Sequence, residues 1–197
     1  MKLRPRLLVV SLSVALVVSV GVGWLIARSG SSSASSSTTA ESVVIPSNSQ
    51  FATPGIGTNA VVAGKALPKV NVQTLQGDDV STATLLGHPM VINVWGSTCG
   101  PCKHELPDFA KVHATMGDRV RFVGIDYLPP SSDEEKFARD KGVQYELFYD
   151  GNGEFISKVG ISNFPVTLFV NAKGTIVKQT GQLDEATLTS LIKSELL

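Results

Sequence analysis

The stretch WGSTCGPCKHELP, residues 95–107, contains both cysteines of this 197-residue chain. Cys99 and Cys102 stand three apart, which suits a redox pair, half of a metal site or a structural disulfide. A disulfide of this spacing closes too small a loop to add much stability, so the structural role is the weakest of the three. Two cysteines at this spacing also cannot form a multi-bridge framework.

A metal site would need ligands besides the two cysteines, because structural zinc is usually held by four. The three histidines, His88, His104 and His113, form no second ligand pair at a spacing typical of zinc sites. We therefore predict no metal and no cofactor, and interpret the histidines as surface or packing residues.

The redox role has a physical mechanism, because a strand should end at Trp95 and a helix should begin at Cys99. The free amides and the dipole of a helix N-terminus stabilise an anion, which favours a thiolate at Cys99. Cys102, one turn further, should be more buried and protonated. Cys99 would then attack a partner disulfide and Cys102 would resolve the mixed disulfide. Gly100 and Pro101 separate the cysteines, and Pro101 suits a first helical turn.

The N-terminal segment, residues 1–28, begins with basic residues and continues with an uncharged run over residues 7–26. Twenty residues at about 1.5 Å each span about 30 Å, the thickness of a bilayer core. Trp24 and Arg28 resemble interfacial anchors at its far end. We predict an uncleaved signal-anchor with its N-terminus in the cytoplasm and the remaining chain outside; the alternative is a cleaved signal peptide and a secreted protein.

Residues 29–60 are rich in serine and are predicted to form a flexible linker. A chain of about 32 such residues spans roughly 30 Å, enough for a tethered domain to reach partners near the membrane. Beyond residue 30 the chain holds 13 basic and 17 acidic residues, a balance that argues against nucleic-acid binding. Residues 61–197 are predicted to form one folded domain.

The pattern of this domain alternates strands with helices and ends in a hairpin and a helix, which indicates an α/β sheet with helices on both faces. Strands are predicted in KVNVQTL and DDVST around Gly77, and at 90–95, 119–126, 145–150, 166–170 and 175–180. Helices are predicted at 82–86, 99–116, after a Ser132 cap, at 154–159 and after an Asp184 cap.

These residues resemble the thioredoxin superfamily. The pattern W-x-x-x-C-G-P-C-K, with Pro107 five residues after the second cysteine, is similar to its active-site helix and kinking proline. NFPVTLFV is similar to its second hallmark, which implies a cis-proline at Pro165 facing the dithiol.

Within the superfamily the chain resembles, over residues 64–196, the membrane-anchored extracytoplasmic group that includes TlpA, ResA and DsbE (CcmG). The shared pattern is a G-x-P segment, a strand ending in N-x-W, and C-x-x-C-x-x-E-x-P. The resemblance implies a thioredoxin-like fold, in which helices flank a central mixed β-sheet, with an added N-terminal β-hairpin.

Two positions bear on proton transfer. Asn93 stands where thioredoxin has a buried aspartate, so that general base is missing. Glu105 stands where the membrane-anchored reductases have a glutamate, which implies that it handles the proton of Cys102; the alternative is that Glu105 decorates a helix turn.

Other residues are predicted to support the site. We expect Trp95 to pack beneath the dithiol and Phe164 to lie beside the substrate groove. Lys103 either adds positive potential near the thiolate or is simply solvated. Thr98 replaces a second tryptophan of thioredoxin.

The leading hypothesis is a membrane-tethered thiol–disulfide oxidoreductase that keeps client thiols reduced, for example those of apocytochrome c. A reductant outside the cytoplasm needs electrons from an integral membrane carrier. The Gly-Pro dipeptide matches strongly reducing thioredoxin and favours this direction. The alternatives are an oxidant that forms disulfides in secreted proteins and, from another class, a metal-binding or copper-delivery module.

Overall fold

The computed structural model describes residues 58–197. The predicted signal-anchor and most of the predicted linker lie outside these residues. Within the described range no helix combines the length and the apolar character needed to cross a membrane. Among the described residues, Asn59, which belongs to the predicted linker, is hydrogen-bonded to Ser162 and Asn163.

A seven-stranded mixed sheet forms the centre of the domain. The strands are β1 (Asn71–Gln73), β2 (Asp79–Ser81), β3 (Met90–Trp95), β4 (Arg121–Asp126), β5 (Glu146–Tyr149), β6 (Val166–Val170) and β7 (Ile176–Thr180). Their order across the sheet is β2-β1-β5-β4-β3-β6-β7. β3 and β4 are parallel, as are β4 and β5, and the remaining neighbours are antiparallel.

Four α-helices and one short 3₁₀ helix pack on this sheet, which confirms the predicted central mixed sheet flanked by helices. The first, second and fourth α-helices share a core cluster on one face, and the third packs with apolar residues of the stretch 62–72 on the other. The helices are the 3₁₀ turn Thr82–Leu85, α1 (Gly100–Met116), α2 (Ser132–Asp140), α3 (Glu154–Val159) and α4 (Glu185–Glu195).

The central strand β3 is buried along its whole length, as its apolar sequence MVINVW predicts. Side chains alternate between the two faces of a strand. Ile92 and Val94 therefore contribute to the core cluster that includes α3, whereas Val91 and Trp95 contribute to the cluster that includes α1. Asn93 faces the α1 side with the latter pair and is a buried polar residue there.

The predicted cap of α2 was wrong by one residue. Ser131, not Ser132, has the extended backbone of an N-cap, and its Oγ accepts a hydrogen bond from the amide of Asp133 at 3.2 Å. A cap residue must lie outside the helix so that its side chain can turn back to the free amides. Ser132 is already the first helical residue and cannot make that contact.

Candidate active site

The cysteine pair lies where β3 gives way to α1 across the loop Gly96–Thr98. Cys99 is the N-cap of α1, and its Sγ accepts a hydrogen bond from the amide of Cys102 at 3.2 Å. Cys102 is fully buried, as predicted, whereas Cys99 is half-buried. The two form a disulfide with a Cα–Cα distance of 5.3 Å, so the structure represents the oxidised state.

The outer rim of the disulfide consists of small exposed residues. Gly100 and Pro101 are both exposed, and a Cβ atom added at Gly100 would meet no other heavy atom within 4 Å. A partner chain can therefore approach Cys99 from this side without displacing a side chain. The same rim offers no such approach to the buried Cys102.

Trp95 belongs to the same buried core cluster as Cys102, and the partly buried Cys99 packs against that cluster. Its indole is fully buried and stacks on Phe137 of α2, with ring centroids 6.1 Å apart. The ammonium of Lys103 lies 5.9 Å from the Phe137 ring centroid. The structure thus directs Lys103 toward an aromatic face, an arrangement that the sequence did not predict.

The predicted cis peptide bond is present between Phe164 and Pro165. β6 begins directly after Pro165, and its register places Val166 opposite Val94 of β3. Because β3 ends one residue later, the buried Pro165 lies at the same edge of the sheet as the cysteine loop.

Glu105 lies one turn beyond Cys102 on the same face of α1 and is 1 % exposed. Its Oε1 accepts a hydrogen bond from Asn93 Nδ2 at 2.7 Å, and its Oε2 accepts one from the amide of Leu183 at 3.1 Å. The carboxyl group therefore points into the core, which rules out a solvated decoration of a helix turn. β3 carries Asn93 instead of an acid at this position, but Glu105 of α1 places a carboxyl group next to it.

Burial raises the pKa of Glu105 from an ordinary 4.5 to about 7. The hydrogen bonds from Asn93 and Leu183 favour the charged form and oppose this shift, but desolvation is the larger effect. A carboxyl group with this pKa can give up or take up a proton near neutral pH. Glu105 follows Cys102 by one turn on the same helix face, so the thiol of Cys102 is a candidate partner for this proton.

Two further acids, Glu134 and Asp126, lie near the loop before Cys99, and sequence reasoning did not find them. Glu134 of α2 accepts hydrogen bonds from both the amide and the hydroxyl of Ser97, the former at 3.1 Å. Asp126 is fully buried at the end of β4, and its Oδ1 accepts a hydrogen bond from the amide of Leu128 at 2.8 Å. Burial, and then the proximity of Glu134, raises the pKa of Asp126 to about 8.

The sequence contained a signal for Asp126, because it is an aspartate at the end of a predicted buried strand. A polar group in that position needs hydrogen-bond partners in the folded protein. Its partner Glu134 belongs to a helix whose placement no local pattern reveals.

Tyr127 contacts both the cysteine loop, Gly96–Thr98, and the proline loop, which contains Phe164 and Pro165. Its ring stacks on Phe164 with centroids 4.2 Å apart, and its hydroxyl shares a 2.6 Å hydrogen bond with Thr98 Oγ1. The same ring lies against Gly96, where an added Cβ would come within 2.5 Å of it. Glycine is therefore required at position 96 by close approach. Phe164 is half-buried at this junction.

Within residues 58–197 no group of three or more histidine, cysteine, aspartate or glutamate residues is placed to hold a metal ion. His113 instead packs edge-on against Phe122 and Tyr145, each with ring centroids 5.4 Å away. Burial lowers the pKa of His113. His88 and His104 are exposed.

A cysteine pair at a helix N-terminus, next to a cis-proline at the edge of a mixed sheet flanked by helices, defines a thioredoxin-fold thiol–disulfide oxidoreductase. The chain belongs to the AhpC/TSA family, whose model matches residues 63–179.

Known proteins agree with this assignment. The chain is 34 % identical over 125 residues to the thiol:disulfide interchange protein DsbE of Pseudomonas fluorescens biotype C, covering 62 % of this chain and 68 % of the relative. It is 27 % identical over 125 residues to the thiol-disulfide oxidoreductase ResA of Halalkalibacterium halodurans, covering 62 % and 71 %. A DsbF homologue from Corynebacterium diphtheriae has a similar structure, with a TM-score of 0.60 and 26 % identity over 74 % of this chain and 98 % of that one.

The expected resemblance to thioredoxin-fold oxidoreductases of the ResA and DsbE type is thereby confirmed, and so is the enzyme class. Family members of this kind act on thiols or disulfides of client proteins. The redox pair of this chain is Cys99–Cys102.

The raised pKa of Glu105 predicts a specific pH dependence of stability. The folded state binds the Glu105 proton more tightly than the unfolded state does. The free energy of unfolding should therefore fall as pH rises from about 4.5 through about 7. The loss should reach about 3 kcal/mol, at 1.36 kcal/mol per pKa unit. Glu105→Gln should remove this component from the free energy of unfolding of the oxidised protein, measured by denaturant titration at several pH values.

Asp126→Asn provides the comparison, because its pKa is raised from 3.8 to about 8 and its component should extend to higher pH. Parallel curves for the wild type and Glu105→Gln between pH 4.5 and 7 would contradict the assignment of the raised pKa to Glu105.

Proposed function

We propose that this protein is a membrane-tethered, extracytoplasmic oxidoreductase that reduces disulfides of client proteins. The observation that carries the proposal is the pairing of a half-buried Cys99 at a helix N-terminus with a fully buried Cys102, backed by the buried carboxyl group of Glu105. This arrangement would supply an accessible nucleophile, a protected resolving thiol and a proton acceptor within the first two turns of α1.

The first step is attack of the Cys99 thiolate on one sulfur of a client disulfide. A bond forms between Cys99 Sγ and that sulfur, the client S–S bond breaks, and the second client sulfur leaves as a thiolate that takes up a proton. The helix N-terminus favours the attacking thiolate, because the amide of Cys102 already points at Cys99 Sγ.

The second step resolves this mixed disulfide. Cys102 gives its proton to the carboxylate of Glu105, and its thiolate attacks Cys99 Sγ. The Cys99–Cys102 disulfide forms, and the first client sulfur leaves and receives the proton from Glu105. Two electrons have passed from the enzyme dithiol to the client, and the enzyme is left in the oxidised state that the structure represents.

Pro165 and Phe164 are proposed to flank the client while these steps occur, since they lie at the same sheet edge as the cysteine loop. Trp95, Asn93, Gly100, Pro101 and Lys103 are proposed to support the pair by packing, by hydrogen bonding to Glu105, or by leaving the rim open.

The reducing direction is supported by the Gly-Pro dipeptide between the cysteines, which thioredoxin shares at a potential of about −270 mV. A reductase outside the cytoplasm must be recharged, and an integral membrane carrier is the class of donor that could deliver electrons there. Apocytochrome c, whose haem-binding cysteines must be reduced, is the client type that we propose from the sequence resemblance described above.

The tether is proposed from sequence. An uncharged run over residues 7–26 with basic residues before it would hold the chain in the cytoplasmic membrane, N-terminus inside. Residues 29–60 would link it to the redox domain of residues 61–197.

Loss of the Glu105 carboxyl group should slow resolution rather than attack. In Glu105→Gln, an amide replaces the group proposed to accept the Cys102 proton. Its oxygen can still accept from the amide of Leu183, and its NH2 group can donate to Asn93 Oδ1 once the Asn93 side-chain amide turns over. We expect release of a client from the mixed disulfide to slow on the order of 10–100-fold near neutral pH. Stopped-flow measurement of both steps across pH would show this; an unchanged resolution rate and pH profile would exclude Glu105 from proton transfer.

Cys102→Ser should trap clients as mixed disulfides with Cys99, because the resolving thiol is gone. Cys99→Ser should not, since Cys102 is fully buried. Full-length variants, expressed in cells and separated into membrane and secreted fractions, can be analysed on non-reducing gels and by mass spectrometry. Adducts confined to the membrane fraction support the tether; a shortened, secreted adduct argues for signal cleavage, and trapping by Cys99→Ser reverses the assignment of the nucleophile.

The potential of the Cys99–Cys102 couple should lie near that of thioredoxin, about −270 mV. Equilibration with defined thiol–disulfide buffers, followed by alkylation of free thiols, measures it directly. A value near −120 mV, as in DsbA, would instead support the oxidation of secreted proteins.

A further inference from the structure

Asn59, at the N-terminal edge of the domain, is bound to a loop that is about 100 residues away in sequence. Its Oδ1 accepts hydrogen bonds from the amides of Ser162 and Asn163, at 2.7 and 2.8 Å. Its Nδ2 donates to the carbonyl oxygen of Asn163 at 3.0 Å. One side-chain amide therefore satisfies three backbone groups of a segment that belongs to no strand or helix.

The next residue strengthens this contact. The amide of Ala60 donates to the carbonyl oxygen of Gly160 at 2.8 Å. The Ala60 methyl group lies so close to Gly160 that an added Cβ there would come within 2.6 Å of it. Gly160 also has a φ of +76°, a conformation that favours glycine. The loop is thus fitted to residues 59 and 60 by both hydrogen bonding and shape.

This loop continues directly into Phe164 and the cis-proline Pro165. Phe164 stacks on Tyr127, and Tyr127 shares a hydrogen bond with Thr98, the residue before Cys99. A displacement of residues 162–163 would therefore move Phe164, and with it the contact that joins the proline loop to the cysteine loop. The hydrogen bonds of Asn59 therefore constrain the loop that carries Phe164 and Pro165, the side of the site at which a client is proposed to bind.

We propose that Asn59 is a positioning residue for protein clients: it holds the loop of residues 160–164 so that Phe164 and Pro165 present the correct surface beside Cys99. The proposal rests on the proposed function in one respect, that clients are protein chains held at this flank. Small disulfides need access to Cys99 and little of this surface. Loss of Asn59 should therefore affect protein clients more than small ones.

The test compares two substrates in the full-length protein. The measured quantity is the substrate ratio, kcat/KM for insulin divided by kcat/KM for glutathione disulfide. Asn59→Ala should lower this ratio about tenfold, mainly through a higher KM for insulin. Asn59→Asp keeps the acceptor oxygen for the two amides and should recover part of the loss. Equal losses with both substrates, or no loss with insulin, would overturn the proposal.

Asn171→Ala is the matched control. Asn171 Oδ1 also accepts hydrogen bonds from two backbone amides, those of Lys173 and Thr175, both at 3.0 Å, but at the far end of β6 from Pro165. Its substrate ratio should equal that of the wild type. A shift as large as that of Asn59→Ala would show that the ratio reports general loosening and would also overturn the proposal.

The same comparison is made in the oxidising direction, with reduced unfolded ribonuclease A against dithiothreitol. A wild type that oxidises but does not reduce refutes the proposed reductant role while leaving the Asn59 comparison decisive. The two proposals can therefore fail separately.

Discussion

Val94 of β3 lies opposite Val166 of β6, and this antiparallel register determines where the chemistry can occur. The cysteine loop leaves β3 one residue after this pair, and Pro165 enters β6 one residue before it. A shift of one residue would move every side chain of β6 to the opposite face of the sheet, because side chains alternate along a strand. All five positions of β6 are buried, with Val166, Leu168 and Val170 in one core cluster and Phe169 in the other. A shift would exchange these side chains between two packed clusters and carry Thr167 to the other face, and the resulting loss of fit opposes slippage.

Two buried acids lie on the α1 side of the same sheet, and they serve different elements. Glu105 joins α1 to Asn93 on β3 and to the chain just before α4, whereas Asp126 lies with Glu134 behind the loop that leads to Cys99. Each acid is shifted toward its neutral form mainly by burial. Only Glu105 follows Cys102 on the same helix face, which is why we assign the proton of the thiol to it and the support of the loop to the Asp126–Glu134 pair.

Features encoded in contiguous sequence were predictable. The buried run MVINVW identified β3, and the CGPC pattern with a downstream proline motif identified the cysteine helix and the cis bond at Pro165. Cap residues were harder, because Ser131 and Ser132 are equally suitable by type and only the backbone after the preceding prolines distinguishes them.

Contacts between distant segments could not be read from local patterns. Asn59 is unremarkable in the sequence, and its three partners are more than 100 residues away. Glu134 appears as one of several acids in the first turn of a helix. The resemblance suggested that Glu105 matters, but its burial depends on where β3 and the chain before α4 lie.

The loop Gly96–Thr98 is held by groups that take no part in sulfur chemistry. Ser97 is bound to Glu134, and Thr98 is bound to Tyr127. Making or breaking the disulfide therefore need not rebuild the surface on either side of Cys99. We expect such a centre to have a small reorganisation energy, because these hydrogen bonds involve neither sulfur atom and can persist when the disulfide is reduced.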